Sequence, residues 1–486
     1  MPTFTIENFG CRATESDAAA LRQQLLASGL TLAAEHSGAD FVVLNTCTVT
    51  AAADSQAREA VRKIHRANPT ARIVVTGCYA QRAPEELAAI DGISWVVGNS
   101  HQAEIPRLVN EFVASHGPNA MARGTSRDFI LASDLIDDSM SLARGPAKIL
   151  TGDIFAHDVV QIAPASEIAG DRTRPILKIQ DGCNNRCSYC VIPFVRGRSR
   201  SLAPDAVVEE VRKLVSAGAK EVVLSGINLG SYGRDLPVRT SLAGVVGRIL
   251  EETYLEQLRF SSIEPQDVTE DFVSLVADSE RIEHHFHIPL QSGSNRILRA
   301  MHRWYRAELY AERIQLIRRL IPDAAIGADV IVGFPGETDE DFRATSDFIE
   351  ALPFTYLHVF SFSTRPGTKA ENLASPVAAP LIRERAQSLR ALAQQKSVAF
   401  RASQDGALMR ALTLARSGDG WTEALTGNYL KVRIAGRCPP NEWRSVRIGP
   451  DGNTTLLNSQ FSALENHFGE GQISAVRDGE RDISHA

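Results

Sequence analysis

Three cysteines lie close together in one short run of this chain, Gly182-Cys183-Asn184-Asn185-Arg186-Cys187-Ser188-Tyr189-Cys190, separated by three residues and then by two. This spacing puts three thiolates on one loop, with no obvious fourth ligand nearby. Thiolates select iron–sulfur clusters, zinc or copper over hard cations. A four-iron cluster held by three cysteines keeps one iron open, and an open iron can bind a substrate. The run therefore predicts a cluster of this kind.

A structural zinc site is the alternative interpretation of the same run. Such sites have four tetrahedral ligands, often from two paired knuckles. The next cysteine toward the C-terminus is Cys438, and no histidine lies between Arg172 and Val238, so a closed zinc site would need a remote ligand. This alternative leaves a non-catalytic, zinc-stabilised RNA-binding protein as a second hypothesis.

A second trio of cysteines, Cys11, Cys47 and Cys78, is spread over the first eighty residues. Each follows one of three predicted strands, at residues 3–8, 41–44 and 72–76. Strands that alternate with helical patterns predict a parallel sheet. Because ligands bind beyond the carboxyl ends of such a sheet, we expect these distant cysteines to converge on a second metal centre. Three unrelated buried cysteines are the alternative.

The pattern along the chain predicts an α/β protein in five parts. They are an N-terminal parallel-sheet α/β domain (1–115), a connecting segment (116–170), a partial (β/α)6 barrel (171–395), a small antiparallel β-barrel (400–460) and a polar tail (461–486). The strands of the (β/α)6 barrel are expected at residues 176–180, 221–225, 258–262, 286–290, 326–332 and 356–360. Helical patterns between them cover residues 204–217, 294–320 and 339–351. The loop that carries Cys183 follows the first of these strands, at the end of a barrel where active sites lie.

Composition limits the class of protein. Of the 486 residues, 44% are hydrophobic and 23% are charged, as in a globular protein. No apolar run approaches the ~18 residues of a membrane span, and the first residues lack a basic segment followed by an apolar one. Six of the seven cysteines fall into the two trios, which suits metal ligation in a reducing compartment better than disulfides. We therefore expect a cytoplasmic protein without a membrane segment.

Charge gives only a local indication of partners. The net charge of -6 does not favour nucleic-acid binding by the chain as a whole. Basic residues nevertheless surround the loop of Cys183 and recur between Arg401 and Arg447. Small β-barrels with a basic face commonly bind single-stranded nucleic acid.

Together the motifs resemble the radical S-adenosylmethionine (SAM) methylthiotransferases, over nearly the whole chain. The resemblance is strongest to the members that act on N6-threonylcarbamoyladenosine in tRNA. It is carried by Asn45-Thr46-Cys47-Thr48-Val49-Thr50, Thr76-Gly77-Cys78-Tyr79-Ala80-Gln81 and Gln180-Asp181-Gly182-Cys183-Asn184-Asn185. One motif departs from the family, because Arg12-Ala13-Thr14 follows Cys11 where Lys and then Asn are usual. The resemblance implies that the central part is a radical SAM core and the C-terminal barrel a TRAM-like domain.

The resemblance also implies a reaction and two 4Fe–4S clusters. A methylthio group would replace the hydrogen on C2 of adenosine 37, next to the anticodon. The cluster on Cys183, Cys187 and Cys190 would reduce SAM to give a 5′-deoxyadenosyl radical. The cluster on Cys11, Cys47 and Cys78 would hold the sulfur that is transferred. No catalytic side chain is assigned.

Five further residues are expected to bind SAM, by the same resemblance. Ser225, Gly226 and Asn228 match a segment that positions the amino end of the cofactor, and Gly333 matches one near its adenine. Tyr189 would shield the cluster or the adenine. Plain tight turns and core packing are the alternatives for these positions.

The partners implied are a tRNA anticodon stem-loop, a low-potential electron donor of the flavodoxin or ferredoxin type, and a sulfur donor. Two other substrates stay open within the family: N6-isopentenyladenosine 37 of tRNA and an aspartate of a ribosomal protein.

Overall fold

The computed structural model describes residues 1–116, 140–142, 147–157, 160, 173–449 and 453–456. The chain divides into two compact units, Met1–Lys396 and Ser397–Ala486. Most of the predicted connecting segment and the whole predicted tail, 461–486, lie outside the described residues. Among the described residues, no helix has the length and apolar character needed to cross a membrane.

The N-terminal part is built on one seven-stranded sheet. Its strands are β1 (Thr3–Asn8), β2 (Thr31–Leu32), β3 (Phe41–Thr46), β4 (Arg72–Gly77), β5 (Ile93–Gly98), β6 (Met140–Leu142) and β7 (Lys148–Leu150), in the order β2-β1-β3-β4-β5-β7-β6. Its helices are α1 (Arg12–Ala27), α2 (Ala51–Ala67), α3 (Cys78–Arg82), α4 (Pro84–Ala88) and α5 (Ile105–His116). All neighbouring strands are parallel except β6 and β7. Strands β6 and β7 come from the segment that the sequence treats only as a connection.

Both faces of this sheet are buried. Val42 and Leu44 of β3 pack in a cluster with Val61 of α2, whereas Phe41 and Val43 pack with Leu21 of α1 on the other face. Because helices cover both faces, every residue of β3 is buried, which explains its continuous apolar run. The predicted parallel sheet is confirmed.

The central part contains the six expected parallel strands of a partial barrel. Its strands are β8 (Ile176–Asp181), β9 (Arg200–Ser201), β10 (Glu221–Gly226), β11 (Gln257–Phe260), β12 (His285–His287), β13 (Ala325–Val332) and β14 (Tyr356–Ser361). The short β9 pairs antiparallel with β8. Single bridges, one of them between Ser262 and His287, connect the sheet β11-β10-β8-β9 to the sheet β12-β13-β14.

Helices follow the barrel strands. They are α6 (Ile192–Arg196), α7 (Pro204–Ser216), α8 (Leu242–Glu252), α9 (Glu270–Ala277), α10 (Asn295–Ala300), α11 (Ala307–Leu320), α12 (Asp339–Ala351) and α13 (Ala379–Ser403). The prediction of one helical region over residues 294–320 is wrong, because α10 ends at Ala300. The backbone N–H and the hydroxyl of Ser188 donate to the carbonyls of Met301 (3.0 Å) and Ala300 (2.8 Å), and His302 turns the chain with a φ of +57°. The cysteine loop thus binds the carbonyls at which α10 ends.

The C-terminal part is a small closed barrel. Its strands are β15 (Leu408–Gly418), β16 (Trp421–Thr426), β17 (Lys431–Ala435), β18 (Trp443–Ile448) and β19 (Asn453–Leu456), in the order β15-β16-β17-β19-β18. The pairings are antiparallel except for β17 with β19. The α/β fold class with a terminal β-barrel is therefore confirmed, with one parallel pair in the barrel.

Candidate cluster and cofactor site

Cys183, Cys187 and Cys190, called the loop trio below, lie on the irregular segment after β8. The segment begins at Gly182, which has a φ of +70°. A Cβ at this position would lie 1.9 Å from the carbonyl oxygen of Arg198. Only glycine fits here, so the chain can turn directly from the strand into the cysteine loop.

The sulfur atoms of the loop trio are close enough to affect one another. Burial, with Cys187 and Cys183 nearby, raises the pKa of the Cys190 thiol to about 12. Burial also raises the pKa of Cys183. A buried thiolate needs a compensating cation, so these groups ionise favourably when they bind a metal.

Polar groups point at two sulfurs of the loop trio. The backbone N–H of Asn185 lies 3.4 Å from Sγ of Cys183, and the side-chain amide of Asn228 lies 3.9 Å from the same atom. Nη1 of Arg303 lies 3.4 Å from Sγ of Cys187, and Arg303 also pairs with Glu264. Sequence reasoning missed Arg303 and Glu264. The residues around Arg303 resemble a segment of the family, which is the signal that could have identified Arg303. Packing of a helix explains the same residues equally well.

Cys11, Cys47 and Cys78, called the sheet trio below, converge at the carboxyl edge of the N-terminal sheet. Thr46 pairs with Gly77 at the ends of β3 and β4. Cys47 and Cys78 are the next residues, so they begin side by side at the sheet edge. Strand β1 ends at Asn8, as predicted, and Cys11 follows it after Phe9 and Gly10.

The backbone of Gly10 lies close to the side chain of Cys47, which places the segment before Cys11 beside the other two cysteines. A Cβ on Gly10, which has a φ of +135°, would lie 2.8 Å from Cβ and 3.4 Å from Sγ of Cys47. Burial and the neighbouring Cys78 and Cys11 sulfurs raise the pKa of the Cys47 thiol to about 12. Asn99 donates to Sγ of Cys78 at 3.5 Å. The expected convergence of three distant cysteines is observed.

The number of donors in each trio argues against a closed zinc site. A structural zinc ion takes four ligands, and each trio supplies three thiols. Three thiols suit a four-iron cluster that keeps one iron open.

The segment that follows the loop trio packs against the sheet trio. Cys78 packs against Val191 and Val195, which follow the loop trio, and Asn99 donates to the Val195 carbonyl at 2.8 Å. The buried Arg196 guanidinium is the main positive charge near Cys78. The sheet edge and the barrel loop therefore face one common region.

Arg196 belongs to a buried ionic network between the sheet and the barrel. It donates to Asp17 of α1 at 2.7 Å and to Asp181 of β8 at 3.1 Å. Lys178 pairs with the same two carboxylates. Although burial by itself opposes ionisation of Asp181, Lys178 and Arg196 hold its pKa well below the usual range.

The residues expected at SAM lie on both sides of the loop trio. Ser225 is buried near the end of β10, and Gly226 lies close to the side chain of Gln180. The backbone N–H of Asn228 donates to Oε1 of Gln180 at 2.8 Å, while the side-chain Oδ1 of Asn228 is buried without a hydrogen-bond partner. An acceptor of this kind, beside Cys183, suits a bound ammonium group.

Tyr189 and the segment of Gly333 meet on the other side. The ring of Tyr189 packs edge-on against Phe334, with centroids 6.5 Å apart, in a cluster that includes Met301. Gly333 has a φ of +79°, and its N–H donates to Glu337 at 2.9 Å. An apolar wall next to Cys190 results.

Comparison with known proteins decides the family. Residues 177–349 match the model of the radical SAM superfamily, and residues 3–98 match the uncharacterized protein family UPF0004. The chain is 35% identical over 430 residues to the threonylcarbamoyladenosine tRNA methylthiotransferase MtaB of Aquifex aeolicus, covering 88% of this chain and 96% of that protein. This chain belongs to the radical SAM methylthiotransferase family. The resemblance in the motifs is thereby confirmed.

Other relatives carry a second specificity. A tRNA-2-methylthio-N(6)-dimethylallyladenosine synthase of Pelotomaculum thermopropionicum is 32% identical over 395 residues, covering 80% of this chain and 81% of that protein. Among solved structures, the radical SAM methyltransferase TsrM of Kitasatospora setae matches with a TM-score of 0.51 and 15% identity, over 87% of this chain and 77% of TsrM. That likeness supports the fold alone.

Membership determines the chemistry and the cofactors. The protein is an enzyme, a radical SAM methylthiotransferase, and the family uses SAM and two 4Fe–4S clusters. The two trios of thiols, all buried or half-buried except the exposed Cys11, supply a fitting set of donors for two such clusters.

Proposed function

We propose that this methylthiotransferase converts N6-threonylcarbamoyladenosine 37 of tRNA to its 2-methylthio derivative. The observation that carries the proposal is the pair of cysteine trios that face one region between the sheet edge and the barrel. The names of two relatives that this chain matches over more than nine-tenths of their length support the substrate.

We assign each trio a separate task. Cys183, Cys187 and Cys190 hold the cluster that binds SAM, and Cys11, Cys47 and Cys78 hold the second cluster. When bound, these groups supply the radical and the sulfur that an unreactive adenine C2–H bond requires, because side-chain acids and bases cannot replace that hydrogen.

The chain's own residues then position the cofactor and shield the reaction. Oδ1 of Asn228 accepts a hydrogen bond from the amino group of SAM, beside Ser225 and Gly226. Tyr189 and the Gly333 segment exclude water from the adenine side. Arg303 balances the negative charge of the loop trio, and Arg196 does so for the sheet trio.

The C-terminal barrel is proposed to bind the anticodon stem-loop. Two of its arginines stack on tryptophans: Arg433 lies 4.8 Å from the ring centroid of Trp421, and Arg410 lies 4.6 Å from that of Trp443. Aromatic rings and arginine planes stack on unpaired bases, while other basic side chains contact phosphates. Both features support an RNA-binding surface.

We also propose domain boundaries near residues 115, 170, 395 and 460 and a cytoplasmic location. The proposed partners are an electron donor of the flavodoxin or ferredoxin type and a separate sulfur donor. The one-electron chemistry of the family supports the need for a low-potential donor.

Nucleoside analysis of tRNA from a deletion strain tests the substrate. We expect 2-methylthio-N6-threonylcarbamoyladenosine to vanish and its precursor to accumulate. Wild type and Cys438→Ala should restore the product, whereas Cys47→Ala should not, because Cys438 belongs to neither trio. Loss of the isopentenyl product instead would transfer the assignment to the other tRNA substrate. Unchanged tRNA would contradict both.

A further inference from the structure

Two histidines and one carboxylate meet on three adjacent barrel strands, and none of them belongs to a cysteine trio. His287 ends β12, Asp329 lies in β13 and His358 lies in β14, and Asp329 and His358 are direct partners in the strand register. One ligand atom from each of the three residues lies within 4.8 Å of the other two. Nε2 of His287 and Nδ1 of His358 lie 3.2 Å and 3.1 Å from Oδ1 of Asp329.

The ring of His287 is oriented by a separate partner. Its Nδ1 lies 2.7 Å from the hydroxyl of Ser262, two residues after the end of β11. Its Nε2 is buried and, despite its closeness to Asp329, makes no hydrogen bond of good geometry. Metal-binding histidines are commonly held in this way, with one ring nitrogen fixed by a polar group and the other directed at the ion.

The carboxylate of Asp329 is half-buried, and one of its oxygens faces both imidazole rings. A carboxylate oxygen and two imidazole nitrogens on three adjacent strands form a set of donors typical of divalent transition metals.

The site lies toward the loop trio. Burial raises the pKa of the Glu264 carboxyl group, and the nearby charge of Asp329 adds a smaller rise. Glu264 in turn pairs with Arg303, the partner of Cys187. His358 is exposed, so the cluster is open to solvent instead of being sealed in the core.

We propose that His287, Asp329 and His358 bind one divalent transition-metal ion, in addition to the two iron–sulfur clusters. Three protein ligands leave coordination positions for water or for an oxygen atom of a substrate. The metal-free alternative is a hydrogen-bonded network in which Asp329 only orders the two rings.

Titration with Mn²⁺, followed by electron paramagnetic resonance, tests the site on the full protein with both clusters reconstituted and oxidised. Mn²⁺ suits nitrogen and oxygen donors and has little affinity for thiolates, so the cysteine sites do not compete. We expect about one bound Mn²⁺ per chain, seen as loss of the free six-line signal.

Variants locate the ion. Asp329→Asn and His287→Gln should weaken binding at least about tenfold, and Ser262→Ala about tenfold through loss of ring orientation. Asp323→Asn is the matched control, because Asp323 is an exposed carboxylate 3.2 Å from Nδ1 of His284 and lies outside the cluster. If the core variants lose their iron, His358→Ala at the exposed position provides the same test.

The outcomes separate the alternatives. Binding in wild type and in Asp323→Asn, with loss in Asp329→Asn or His358→Ala, supports the site. Equal Mn²⁺ binding in wild type and in those two variants, or none in wild type, overturns it. Neither result depends on the RNA substrate, so the proposed function can stand or fall separately.

Discussion

Nη1 of Arg303 lies 3.4 Å from Sγ of Cys187, and the same guanidinium pairs with Glu264. Arg303 is therefore a buried cation fixed beside the loop trio. A hydrogen bond from a charged group contributes about 1.5–3 kcal/mol. Loss of Arg303 should therefore destabilise each state in which the sulfur of Cys187 carries negative charge.

Arg303→Met should slow reductive cleavage of SAM about 10- to 100-fold. The measurement is 5′-deoxyadenosine released per minute with dithionite, at equal iron content. Arg299→Met is the control, because Arg299 is exposed on the preceding helix and should change nothing. Equal rates in all three proteins would show that Arg303 has no effect on the cluster.

Asp181→Asn should lower the free energy of unfolding at pH 7 by about 3–5 kcal/mol, because it leaves Lys178 and Arg196 buried with one carboxylate fewer. Denaturant unfolding of the full chain measures the change. Asp205→Asn removes an exposed partner of Arg248 and should cost about 0–1 kcal/mol. Similar losses in the two variants would contradict the network's role.

The carboxylate of Asp181 predicts that the stability of the fold depends on pH. Its pKa is depressed in the folded state, so its contribution is present above the unfolded pKa of about 4 and is lost as the pH falls toward the folded value. Wild type should therefore lose stability on acidification below about pH 4 more steeply than Asp181→Asn. Parallel curves for the two proteins would exclude a depressed pKa.

Gly182→Ala should disturb the loop trio, since its Cβ would lie 1.9 Å from the carbonyl oxygen of Arg198. We expect reconstituted iron to fall by about half, from loss of one cluster of two. Gly218→Ala is matched, because that glycine has a φ of +92° but open space around it. It should cost about 1 kcal/mol in stability and leave the iron unchanged.

The ends of the parallel strands could be predicted from the sequence, because each buried strand is a short apolar run that stops where the strand stops. Cys47 and Cys78 follow two such runs, and their convergence follows from the shared sheet edge. The contact of Arg303 with Cys187 could not be predicted, since it depends on α10 ending where Ser188 binds its last carbonyls. Asp329 and the two histidines are hidden within strands, where only the register between β12, β13 and β14 brings them together.

Iron, sulfide and zinc content, measured together with SAM cleavage on two triple variants, tests the central claim most directly. Removal of Cys183, Cys187 and Cys190 should leave about four irons per chain and abolish 5′-deoxyadenosine formation. Removal of Cys11, Cys47 and Cys78 should also leave about four irons, keep cleavage and stop methylthiolation. Stoichiometric zinc without iron, or loss of cleavage in both variants, would contradict two separate clusters with separate tasks.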